Sequence, residues 1–220
     1  MSSFHLGSAS LDRMPAIADA DMTAEQKSVM DEIAAGPRGR IGGPFIPLMR
    51  SPELMNRVQK VGEYLRFHNT MGLRNSEFAV LVVARHWGQP IEWAIHRTIA
   101  EREGVLPATC DAIAQGRRPD NMTADEAVIY DTLEELRSNR CLSDVTYERV
   151  RQRFGEQGVI DMVAHYGYYS LLAMTMNVAR TALPEGTESV AGLKAFPGYM
   201  GRPRHKKTTE VCGLGGFKTF

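Results

Sequence analysis

The sequence predicts an all-α protein built as a helical bundle. Apolar residues recur at helical spacing along most of the chain, as in "SPELMNRVQKVGEYLRFH". Two capping boxes, Thr23-Ala-Glu-Gln26 and Thr123-Ala-Asp-Glu126, each open such a stretch. Glycine and proline fall mainly between these stretches, where they stop one helix and start the next.

The first box opens a helix running to about Ala35, where Gly36 and Pro37 stop it. "GPRGRIGGPFIP" holds too much Gly and Pro for a helix, yet its Ile41, Phe45 and Ile46 are too apolar for a linker, so an ordered loop is expected. A capped helix with Pro52 in its first turn follows, with Leu54, Val58, Val61 and Leu65 as the expected buried stripe. Asn75 or Ser76 starts "EFAVLVVARHW", apolar on nearly all sides and therefore buried in a bundle or at a subunit contact. Gly88 and Pro90 break it, Gln89 can cap the next helix, and Gly104 stops that helix after Glu103. Three more helical stretches follow, "EAVIYDTLEELRSN", "DVTYERVRQRFG" and "GVIDMVAHYGYYSLLAMTMNVART". Beyond Pro184 the chain turns Gly-rich and basic. The expected organisation is an extension over 1–20, one helical domain over 21–184 with halves near 21–104 and 120–184, and an arm or tail over 185–220.

The halves echo each other. "MTAEQ" returns as "MTADE", and laying His86 on His165 brings Glu77 onto Glu156, Trp87 onto Tyr166 and Gly88 onto Gly167. An internal helical pseudo-repeat is the natural reading, the first copy being longer by its Gly/Pro loop. Glu92 and His96 fall on Leu171 and Thr175, so that polar pair exists in one copy only.

Composition excludes several classes of function. The 26 basic and 26 acidic side chains cancel, so no global field recruits nucleic acid or an anionic membrane surface. No apolar run approaches the roughly 20 residues that span a bilayer. "MSSFHLGSASLDRMPAI" lacks the order of a secretory signal, and a cytoplasmic protein is expected. Cys110, Cys141 and Cys212 form no CxxC pair, which removes support for a redox dithiol or a zinc finger. The basic run "RPRHKK" reads as a solvated tail.

The chemistry concentrates in "ARHWGQPIEWAIH". Glu92 and His96 are spaced i, i+4 on one helix face, where a carboxylate can orient an imidazole and raise its pKa for acid–base work. A surface ion pair is the plain alternative. A zinc site would need a third ligand, from His86 or His68, and no metal-binding pattern supports one, so no metal and no cofactor are expected. Glu77 is either a carboxylate at a helix start or a buried group pointing towards the Gly88 break. His86 and His165 read first as core histidines.

Glu77, Gln89, Glu92 and His96 stand at intervals that resemble the carboxymuconolactone decarboxylase and alkylhydroperoxidase-D-like superfamily, whose peroxidase branch carries Glu, Cys-x-x-Cys and His there. "SEFAVLVVARHWGQPIEWAIHRTIA" and "FGEQGVIDMVAHYGYY" look like its cysteine-free members, and the resemblance covers roughly residues 25 to 182. It implies an all-helical bundle of the alkylhydroperoxidase-D-like type that assembles with itself as a trimer or hexamer. Both cysteine positions are substituted here, by Gln89 and Glu92, so thiol-dependent peroxide reduction is disfavoured.

The resemblance implies a cofactor-independent lyase of the decarboxylase type, acting on a small lactone or cyclic carboxylic acid from aromatic-compound breakdown. His96 is the expected proton donor, Glu92 holds its tautomer, and Glu77 relays or accepts a proton. Arg85, Arg38 or Arg40 would clamp the substrate carboxylate. Trp93 and Tyr168 would wall the pocket, with Gln89, His86 and Phe45 as further substrate contacts. A hydrolase or isomerase on a related ring, or a non-catalytic oligomeric relative, are the alternatives. The apolar content of "EFAVLVVA" and "SLLAMTMNVA" independently suggests self-association.

Overall fold

A single helix, α4 (Leu73–His86), forms the axis of the molecule. In the computed structural model, which describes residues 12–37, 39 and 41–183, every residue of α4 from Ser76 to Ala84 is buried. Around it pack α3 (Pro52–Phe67), α5 (Pro90–Arg102), α6 (Pro107–Ala114), α7 (Ala124–Asn139) and α8 (Asp144–Ala179). α1 (Ala24–Ala35) lies against α3, and the one-turn α2 (Phe45–Leu48) bridges α3 and α8. No strand occurs among the described residues. Arg38 and Arg40, Cys212 and the expected arm over 185–220 lie outside those residues.

Local chemistry explains the boundaries. Both capping boxes form: the Gln26 and Glu126 N–H groups donate to the hydroxyls of Thr23 and Thr123, and each acid or amide side chain accepts from its threonine N–H in return. Such caps are worth about 1 kcal/mol each. Between α4 and α5 the chain turns at Gly88, whose φ of 56° lies in the left-handed region open to glycine. The Gln89 side chain then caps α5, accepting from the Ile91 N–H at 2.7 Å and donating to Asn177 on α8 at 2.9 Å.

Several expectations are corrected. α4 begins at Leu73 rather than Asn75 or Ser76, because Gly72, at φ 77°, makes the turn ahead of it. The ordered loop contains α2, and α6 is a helix beyond those expected. α3 buries Met55, Val58, Gln59, Gly62 and Leu65, while Leu54 and Val61 are exposed. Its inward face is rotated because Gly62 and Gln59, neither of which scores as apolar, sit inside. The two C-terminal stretches are distinct helical runs as expected, α8 being broken between them at Gly155, where φ is 74°. At Gly167 the helix continues, so the turn at Gly88 has no counterpart there, and Glu156 is exposed where Glu77 is fully buried. The apolar run of α4 is satisfied within one chain. That of α8 divides, with Leu172, Ala173, Met176 and Ala179 inward and Leu171, Met174 and Val178 exposed.

No described helix is long and apolar enough to cross a membrane. One long-range polar contact ties α8 to the turn between α3 and α4. Asp161 on α8, 3% exposed, accepts from the Thr70 N–H and hydroxyl, each at 2.9 Å, and from the Tyr64 hydroxyl at 3.0 Å. It pins that turn, and so fixes where the end of α3 meets the middle of the bundle.

Candidate active site

Three helices converge on one buried imidazole. His96, in the middle of α5, faces Glu77 of α4 through Nδ1, with Glu77 Oε2 at 2.5 Å. Its Nε2 faces Glu92, one turn earlier on α5, with Oε2 at 3.1 Å. Arg66, in the last turn of α3, donates from Nε to the other Glu77 oxygen at 3.3 Å. The result is a continuous chain, Arg66–Glu77–His96–Glu92. Glu77 is wholly buried, Glu92 3% exposed and His96 7% exposed.

Burial at this depth fixes the charge states. An unpaired carboxylate would cost several kcal/mol here, so each acid has to meet a cation or a donor. Burial alone pushes the Glu77 carboxyl up, but the positive charges of His96 and Arg66 outweigh it and hold it below the usual range. Burial likewise pushes His96 down, yet the two carboxylates prevail and raise it to about 9. Both ring nitrogens therefore donate, and His96 is an imidazolium at neutral pH.

α8 closes the far side. Tyr169 sets its ring edge-on to His96 at 5.5 Å and lies 4.6 Å from the ring of His165. The Ser76 hydroxyl donates to the Leu65 carbonyl at 3.2 Å, which leaves its oxygen to accept from His165 Nε2–H at 3.1 Å. His165 is kept neutral, its pKa lowered to about 3 by burial and by the nearby His96 charge. The expectation of a core histidine holds for it, although it backs directly onto the site.

A cavity of about 500 Å³ opens on this cluster. Arg66, Glu92 and His96 supply its polar wall, and Phe45, Tyr168 and Tyr169 much of the rest. The turn at Gly42 and Gly43 forms one edge. One carboxylate oxygen here, Glu92 Oε1, is buried with no hydrogen-bond partner. Among the described residues no group of three or more His, Cys, Asp or Glu side chains is arranged to hold a metal ion.

The expected site residues separate clearly. Glu77, Glu92 and His96 come together, and Phe45 and Tyr168 line the cavity. Four others belong elsewhere. Trp93 is fully buried in the hydrophobic core, about 100° round α5 from Glu92, and does not line the cavity. Gln89 spends its side chain on the α5 cap. His86 pairs with Glu134 of α7 at 2.7 Å. Arg85 packs beside the end of α6, where a Cβ at Gly116 would come within 2.7 Å of its Nη2. Among the described residues the guanidinium at the cavity is Arg66, which, like Tyr169, is not among the residues expected from sequence. The "YLRFH" that ends α3 carries no signal of its own, since its place depends on how the turn after it is pinned.

The sequence matches no family model, and no curated protein matches it. Solved structures do. The alkylhydroperoxidase AhpD core of an uncharacterized peroxidase-related protein from Ralstonia eutropha JMP134 superposes with a TM-score of 0.66 at 13% identity, over 80% of this chain and 94% of that one. An uncharacterized peroxidase-related protein from Silicibacter sp. TM1040 gives 0.65 at 12% identity, over 81% and 97%. The all-helical AhpD-like fold expected from the sequence is the fold of this chain.

Proposed function

We propose that the protein is a cofactor-independent lyase of the decarboxylase type, acting on a small lactone or cyclic carboxylic acid. The observation that carries this reading is the Glu77–His96–Glu92 chain, of which His96 and Glu92 line a cavity together with Arg66. Decarboxylation breaks one C–C bond, releases carbon dioxide and leaves the electron pair on carbon, delocalised into an adjacent carbonyl. That carbon then needs a proton, and the anion needs positive charge nearby.

The contacts support a division of these tasks different from the one expected from sequence. Glu77, at Nδ1, is the residue that orients the ring and keeps it charged. Glu92, at Nε2, stands at the cavity with one oxygen on the imidazolium and the other free of partners. A proton on Nε2 reaches the substrate through or beside Glu92, and the pair is then reprotonated from solvent. Tyr169 and the imidazolium charge stabilise the anion. The neighbours in fold are named peroxidase-related, but neither cysteine among the described residues supports thiol chemistry. Cys110 is buried, with its thiol pushed up to about 11 chiefly by desolvation, and neither it nor the exposed Cys141 lines the cavity.

The test is turnover of a panel of small lactone and cyclic carboxylic acids in deuterium oxide. The expected result is carbon dioxide release with one solvent deuterium at the carbon that lost it. Ring opening or isomerisation without carbon dioxide would replace the lyase with a hydrolase or isomerase. Peroxide reduction driven by a dithiol would overturn the acid–base reading.

A further inference from the structure

We infer that the cavity takes a compact ring acid with two polar groups, a carboxylate held by Arg66 and a hydroxyl held by Glu92. This rests on the acid–base reading above and adds the chemical class of the substrate. Arg66 and Glu92 line the same cavity, and each has hydrogen-bonding capacity that no described residue meets. Arg66 lines the cavity with its side chain 20% exposed, and only its Nε is bonded among the described residues, to Glu77. The guanidinium also lies over the Phe67 ring, 5.3 Å from its centroid, and its two Nη groups, with no hydrogen bond to a described residue, form a fork whose shape matches a carboxylate in two parallel hydrogen bonds. Glu92 is almost wholly buried, and its Oε1 accepts from nothing. Leaving such an oxygen unsatisfied is costly, so the cavity is incomplete without a donor there.

The neighbouring charges narrow the chemistry. Glu77 already shares the Arg66 guanidinium, so like-charge repulsion disfavours a dianionic phosphate and suits a single carboxylate. His96 already meets Glu92 as a cation, so a second cation such as an ammonium is disfavoured and a neutral hydroxyl fits. Phe45, Ile91, Leu172 and the tyrosine pair 168–169 supply apolar and aromatic wall to the same cavity. About 500 Å³ accommodates one ring with short substituents.

The test is equilibrium binding by calorimetry, with the three hydroxybenzoate isomers, benzoate and the matching hydroxybenzamides as probes. At least one hydroxybenzoate should bind tighter than benzoate, and tighter than its own amide, each by about 10- to 100-fold, the range of a hydrogen bond to a charged group. Glu92→Leu, which has no acceptor, should erase the preference for the hydroxyl and keep the preference for acid over amide. Arg66→Gln should do the reverse, and Arg66→Lys should restore part of the acid preference. Equal affinity for hydroxybenzoates and benzoate, equal affinity for acid and amide, or no binding at millimolar probe would overturn the inference in the wild-type protein alone. Survival of either preference in its own variant, folded by circular dichroism, would overturn the assignment of residues. The binding pattern can stand while carbon dioxide release fails, and the reverse, so the two claims fail separately.

Discussion

The charge on His96 makes stability depend on pH in a way that isolates one residue. The groups facing its ring are Glu77 from α4, Glu92 from its own helix, and His165 and Tyr169 from α8, with Arg66 from α3 behind Glu77. In the folded state His96 holds its proton up to about 9, while in the unfolded chain it titrates near its ordinary 6.5. Between those values the folded protein binds the extra proton, so stability must fall as pH rises. The contribution is complete below 6.5 and lost by about 9. At 1.36 kcal/mol per unit, the loss is about 3 kcal/mol. The Cys110 thiol and the buried tyrosines, whose pKa values are raised, act only above this window. Urea denaturation followed by circular dichroism, at fixed protein concentration across the window, should show the decline in the wild-type protein. His96→Gln should be less stable at pH 6.5 and flat from there to 9. A flat wild-type profile, or an equal slope in the variant, would refute the placement of a charged imidazole between two carboxylates.

The same contacts predict further outcomes. Below pH 6.5 stability should fall again towards about 3, because His165 is neutral when folded and charged when unfolded, and His165→Phe should flatten that arm down to about 4.5, where the carboxylates held low in the fold, Glu77 and Glu134 among them, begin their own loss. Replacing Cys110 and Cys141 by serine should leave turnover within a few-fold, although Cys110→Ser should cost stability because it places a hydroxyl in an apolar setting. Abolished turnover in the folded double variant would revive thiol chemistry. Self-association is proposed through the outer face of α8, where Ile160, Val163, Leu171, Met174 and Val178 are exposed at helical spacing. Light scattering should find a trimer or hexamer that Ile160→Lys with Val178→Glu dissociates, and a wild-type monomer at micromolar concentration would remove the proposal.

The parts of the fold fixed by short-range chemistry were legible in the sequence. Thr23 and Thr123 announce their helices because the cap and its reciprocal partner lie within one turn. Gly88, Gln89 and Pro90 announce the corner because each has a backbone reason to be there. Glu92 and His96 were legible for the same reason, since i, i+4 spacing puts them together on any helix. Arg66 was not, because it meets Glu77 across the turn between α3 and α4, which Asp161 on α8 holds through Thr70, 91 residues away in the chain. The roles of the two carboxylates were equally hidden. Spacing says that Glu92 can reach His96, but not which ring nitrogen it reaches, and Glu77 takes Nδ1 only through the packing of α4 on α5. Trp93 and His86 looked functional because they are costly residues beside the corner. In the fold one fills the core and the other is satisfied by Glu134 on a helix that the sequence could not place beside it.

Glu92 and His96 acting as one acid–base unit is the central claim about this protein. It is tested most directly by kcat for Glu92→Gln, His96→Gln and the double variant on the substrate identified by carbon dioxide release, each checked for native fold and assembly. Loss of general acid catalysis costs about 10²–10⁴-fold, and residues that act as a unit are not additive. His96→Gln should therefore fall in that range, Glu92→Gln should fall with it, and the double variant should be little worse than either alone. Near wild-type turnover in His96→Gln, or a double variant whose loss is the product of the two single losses, would contradict it.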